Sequence, residues 1–184
     1  MPGIVHARGA LSRRSFLRTL AGGALVSAAS PVLASIGDTR TLAFVHTHTG
    51  ETLSVDYFRG GSYDPLALAK INHTLRDFRT GDAHVIDPAL LDALFELQLR
   101  TGHDQPYQII SAYRAPATNA TLAANSNGVA THSMHMLGRA IDVRVSSVPT
   151  RKLRDLALAM RVGGVGYYRD SDFVHLDTGR VRSW

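Results

Sequence analysis

No cysteine occurs among the 184 residues, so disulfides, thiolate metal sites, a lipid-anchored cysteine and cysteine nucleophiles are excluded by composition. Any metal here must sit on nitrogen and oxygen. Acidic residues are missing from the first 34 positions, which carry Arg8, Arg13, Arg14 and Arg18. Without those four, the 20 Lys and Arg become 16 against 15 Asp and Glu, and the formal charge of +5 becomes +1. The remaining chain therefore lacks the positive footprint that phosphate backbones select, and nucleic acid is not an expected partner. A long apolar run is also lacking. The stretch from Thr19 to Ala34 is interrupted by Gly22, Gly23 and Pro31, whereas a membrane-spanning helix needs about 20 predominantly apolar residues.

What that stretch does contain is the order of a secretory signal: a basic segment, then a Gly- and Ala-rich apolar one. Ser12-Arg13-Arg14-Ser15-Phe16-Leu17-Arg18 resembles the twin-arginine export signal. Val32-Leu33-Ala34 offers small residues for cleavage. The expectation is a twin-arginine signal peptide over residues 1–34, a single domain over residues 35–184, a periplasmic or otherwise extracytoplasmic destination, and no membrane span after cleavage.

Along that domain, Leu42 to Val45 and Thr52 to Phe58 read as a hairpin turning at Thr49-Gly50-Glu51. Asp64-Pro65 and Asp87-Pro88 each place an N-cap before a proline at the first helical position. The first helix is expected to turn Leu66, Ile71, Leu75 and Phe78 inward, the second Leu91, Leu94, Phe95 and Leu99 before Gly102 stops it. Gln108 to Tyr113 reads as a strand, followed by a polar helical turn around Asn119 to Asn125. Ala140 to Val145 and Phe173 to Leu176 are further strands, and Pro149 to Arg161 is an amphipathic helix ended by Gly163-Gly164. Helices come mostly first and strands mostly later, without strict alternation. That order predicts an α+β fold, with helices packed on a small antiparallel sheet.

Chemistry concentrates in Ser133 to Asp142 and Asp172 to Asp177. If Ala140 to Val145 is a strand, Asp142 and Arg144 share one face, and Gly138 lets the chain turn so that His135 folds back toward Asp142. His175 lies in a short apolar run suited to a buried strand. Two imidazoles and a carboxylate that leave a fourth position for water match a catalytic zinc site better than a structural one, which four protein ligands would close.

The pattern Ser-x-His-x-x-Gly-x-Ala-x-Asp at Ser133 to Asp142, Asp-x-x-His at Asp172 to His175, and Ser-x-Tyr-Arg at Ser111 to Arg114 resembles the D-Ala-D-Ala peptidase branch of the zinc peptidases related to lysostaphin and hedgehog. Tyr113 to Asn119 and His175 to Arg182 resemble, within that branch, the MepK (YcbK) group of murein endopeptidases. The resemblance spans nearly all of the domain. It implies a zinc metallopeptidase acting on peptidoglycan stem peptides, with Zn2+ on His135, Asp142 and His175. It implies Asp172 as general base, Asp177 as its rival or as a hydrogen-bonding partner of a ligand imidazole, and Arg114 on substrate or oxyanion. Tyr113, His132 and Ser133 are further substrate-side candidates; Ser133 also suits a turn-capping role. A D,D-carboxypeptidase or dipeptidase, and a non-hydrolytic zinc-containing wall-binding module, are the alternatives. For His73, His84 and His103, and for His46 and His48 flanking Thr47, the plain structural reading is preferred.

Overall fold

The computed structural model describes residues 38–125 and 129–184, so the expected signal peptide lies outside the described residues. Strands β1 (Arg40–His46), β2 (Thr52–Arg59), β3 (Ser62–Tyr63), β4 (Tyr107–Ser111), β5 (Ala140–Arg144), β6 (Gly164–Tyr168), β7 (Phe173–Asp177) and β8 (Arg182–Ser183) join one sheet in the order β3-β2-β1-β4-β5-β7-β6-β8. Helices α1 (Pro65–Thr74), α2 (Pro88–Thr101), α3 (Pro116–Asn125) and α4 (Thr150–Met160), and a 3-10 turn at Met134–Leu137, complete it. The class is α+β. The sheet is larger than the expected one and is mixed, because β1 pairs parallel to β4 and β6 parallel to β8.

The two Asp-Pro signals act as their chemistry requires. The carboxylate of Asp64 accepts from the amides of Leu66 and Ala67, and that of Asp87 accepts from the amide of Ala89, which satisfies helix-start donors that have no intrahelical partner. Helix α1 stops at Thr74, earlier than a stripe reaching Phe78 implies, and Leu66 and Leu99 stay exposed. The core between sheet and helices is built from Leu42, Phe44, Tyr57, Ile71, Leu90, Leu91, Leu94, Ile109, Ile141 and Val143.

Strand β6 escaped the sequence pattern because its glycines are poor strand formers. Their lack of a side chain is what the packing needs: a Cβ on Gly164 would lie 2.5 Å from Oδ2 of Asp177, and one on Gly166 would lie 2.7 Å from the Trp184 ring.

Gly138 ends the 3-10 turn in the left-handed region, with φ +64, and a Cβ there would lie 2.1 Å from the backbone oxygen of Val85. Strain and overlap act together, so Gly138→Ala is expected to cost about 2 kcal/mol or more. Thermal unfolding should show a drop of several degrees; an unchanged melting temperature would count against this turn geometry.

Candidate active site

The centre of the sheet brings the motif residues together. In the antiparallel β5–β7 ladder Asp142 stands directly opposite His175, a spacing at which side chains on the same face touch. His135 comes from the 3-10 turn, whose start is capped by the Ser133 hydroxyl accepting from the His135 amide. Gly138 then reverses the chain into β5. The arrangement is held from the other side, where the Arg114 amide donates to the backbone oxygen of His135.

Three atoms converge. Nε2 of His135 lies 3.2 Å from Nδ1 of His175 and 3.4 Å from Oδ1 of Asp142. Nδ1 of His175 lies 2.8 Å from that same oxygen, and all three residues are buried. The outward nitrogens fix the tautomers. Nδ1 of His135 lies 2.6 Å from the Ala112 carbonyl and Nε2 of His175 3.1 Å from Oδ2 of Asp177. Each outward nitrogen therefore donates its N–H, and two imidazole lone pairs and a carboxylate oxygen face one another. Such a group is repulsive unless a cation or a proton sits among it. Ligand distances of about 2.0–2.2 Å in tetrahedral geometry require edges of about 3.3–3.6 Å, and two of the three edges fall close to that range. The donor set and its outer hydrogen bonds fit a metal ion.

Electrostatics agree with that arrangement. Burial pushes the Asp142 carboxyl up, but the His135 and His175 imidazoles outweigh it and hold the group well below the usual carboxylate range. Burial also pushes Asp177 up, and again the surroundings win: His175, Arg182 and the amides of Gly179 and Gly164 keep it ionised well below that range. For His175, burial is overcome by the bonds to Asp142 and Asp177, and its affinity for a proton rises.

Beside these residues opens a cavity of about 470 Å³, lined among others by Arg114, His132, Ser133, Tyr168, Arg182 and Trp184. Arg114 donates to Oδ1 of Asn119 at 3.2 Å, while its buried Nε has no partner among the described residues. Burial lowers its pKa, so the guanidinium carries a desolvated charge facing the site.

Two sequence expectations are placed elsewhere. Tyr113 is buried against the His84 ring, with centroids 4.9 Å apart, and does not line the cavity. Asp172 is not brought to the triad. It occupies a left-handed turn before β7, with φ 51, and its carboxylate accepts from the Thr150 hydroxyl at 2.8 Å and lies 4.0 Å from Arg144. It lies outside the lining of the cavity beside the triad and lines a separate surface pocket with Arg144 and Thr150. Asp tolerates that backbone conformation, and in this arrangement its carboxylate is bonded to Thr150 and not to a member of the triad. Asp177 has both oxygens engaged, by His175, Gly164, Gly179 and Arg182.

The supports whose roles the motifs did not reveal are Arg182, Trp184 and Asp77. Asp77 receives the amides of Ala115 and Arg79 at 2.9 Å and so fixes the loop carrying Arg114. No periodicity or spacing marks an acid that anchors a loop 38 residues further along the chain.

With this geometry in view, similarity becomes informative. The profile of the family described as peptidoglycan L,D-endopeptidase MepK, Peptidase_M15_2, matches residues 34–184. The chain belongs to this family. It is 42% identical over 177 residues to the peptidoglycan L,D-endopeptidase MepK of Escherichia coli strain K12, covering 94% of this chain and 97% of that protein. It is 40% identical over 146 residues to the probable peptidoglycan L,D-endopeptidase MepK of Haemophilus influenzae, covering 79% and 78%. The matched span includes the segments that carry the buried His135, Asp142 and His175 group.

A divalent cation added to metal-stripped protein is expected to raise the melting temperature, since a ligand at a thousandfold excess over its dissociation constant stabilises by about 4 kcal/mol. His175→Ala should abolish that rise; a rise of equal size in the variant would place the ion elsewhere.

Proposed function

We propose that this protein is an exported zinc-dependent peptidoglycan L,D-endopeptidase that cuts peptide cross-links in the cell wall, with His135, Asp142 and His175 as the zinc ligands. The single observation that carries the reading is the mutual approach of those three side chains beside an open cavity, in a chain 42% identical to an enzyme of that name. When bound, zinc supplies Lewis-acid polarisation of a carbonyl and lowers the pKa of water to about 7. The nitrogen and oxygen donors suit zinc, and the paired arginines of the leader support a twin-arginine route to the periplasm.

The residues of the chain do the rest. The Ala112 carbonyl and Asp177 hold protons on the outward nitrogens of His135 and His175 and orient both rings. Arg114, which lines the cavity, donates to substrate oxygen, where a desolvated guanidinium favours charge developing on the scissile carbonyl. With Asp172 bonded to Thr150 outside the cavity lining and Asp177 fully engaged, we assign proton transfer to the leaving amine to His132, the cavity imidazole outside the triad.

Digestion of purified sacculi tests the reaction: the expected result is conversion of cross-linked dimers to monomers, and loss of only a terminal residue would replace this reading by the carboxypeptidase one. Variant kinetics test the roles. His132→Ala is expected to lower kcat by about 10²–10⁴-fold with metal content retained, and Asp172→Ala to leave kcat within about threefold. The reverse order of effects would restore Asp172 as the base.

A further inference from the structure

The cavity has an aromatic wall that neither the metal site nor the family pattern explains. Trp184 is the sole tryptophan of the chain, and 51% of its surface is exposed. It is nonetheless held in place on several sides. Its amide donates to the Val165 oxygen, and its own backbone oxygen accepts from the Tyr167 amide at 3.1 Å. The indole Nε1 donates to the Tyr168 hydroxyl at 3.0 Å. The ring lies over Gly166, where any Cβ would collide with it, and the Arg182 guanidinium stands 4.9 Å from its centroid. Its centroid is 5.2 Å from that of His175.

A large ring that is fixed yet half open to water gains little for folding, because burial is what makes an aromatic residue stabilising. Its open surface is part of the cavity that contains His135, Asp142, His175 and Arg114. A substrate whose scissile bond sits at the triad therefore passes beside the indole.

We propose that Trp184 is a substrate-positioning residue, its ring packing against the aliphatic part of a stem-peptide residue next to the bond that is cut, while Arg114 engages that segment's oxygen atoms. This rests on the endopeptidase reading. The ring's approach to His175 suggests a competing role, in which Trp184 only buttresses the ligand imidazole, and the two make different predictions. Substrate packing acts on binding; buttressing acts on the metal.

The test uses the zinc-loaded full-length protein and soluble cross-linked stem-peptide dimers. Trp184→Leu is expected to raise KM about tenfold or more with kcat within about threefold, and Trp184→Phe to restore most of the loss. Zinc affinity, from chelator competition, should stay within about threefold of the parent. An unchanged KM, or a zinc affinity that falls in step with activity, overturns the proposal. Because Trp184 is the sole tryptophan, intrinsic fluorescence gives a second readout that does not need turnover. Titrating the zinc-loaded parent with the monomeric stem peptide should give a saturable change in emission. Silence of the emission at concentrations where calorimetry records binding, or no binding at all, overturns it as well. Failure of the parent to cut the dimers, with the fluorescence response intact, would instead remove the endopeptidase reading and leave the binding role of Trp184 standing.

Discussion

Two imidazole lone pairs and a carboxylate oxygen aimed at one another inside a protein are mutually repulsive, and the rest of this structure is arranged so that they stay that way. The opposition of Asp142 and His175 across a central ladder sets two of the three by backbone pairing alone. The third, His135, is bound to the same region through its outward nitrogen and the Ala112 carbonyl. A rigid sheet and a short capped turn thus hold a cation-seeking group at the edge of solvent, the pre-organisation on which metal sites depend.

The surroundings of the group follow a graded logic. Asp177 accepts a hydrogen bond from the outward N–H of His175, Arg182 grips both oxygens of Asp177, and Arg182 in turn stands over Trp184. A buried carboxylate with this many donors stays charged and immobile, which makes it a good orienting group and a poor proton acceptor. The same reasoning separates Asp177 from Asp172. One is buried with its oxygens engaged; the other is exposed at a turn and bonded to Thr150.

Close packing on the far side of the site explains the glycines of β6. Asp177 and Arg182 occupy the space that a side chain at Gly164 would need, and the indole occupies that of Gly166. A strand that is weak by propensity is thereby held by its pairing with β7 and β8 and by the side chains laid across it. The segment from Arg182 to Trp184 belongs to the site as much as to the sheet, since it closes one wall of the cavity.

Local chemistry determined a good deal of this from sequence alone. The Asp-Pro caps, the helix stop at Gly102 and the apolar runs of β4, β5 and β7 are short-range signals that hold in any context, and the ligand types in their motifs pointed to metal chemistry in the absence of cysteine. The tertiary structure alone decided the parallel pairings at β1 and β8, the existence of β6 and the placement of Tyr113 away from the cavity. It also decided that Asp177 bonds to His175 while Asp172 bonds to Thr150. Spacing along the chain carries no information about a left-handed turn that swings one carboxylate toward Thr150, nor about side chains that fill the space above a glycine. Those outcomes depend on which strands become neighbours, a consequence of packing the whole chain that no single stretch of it encodes.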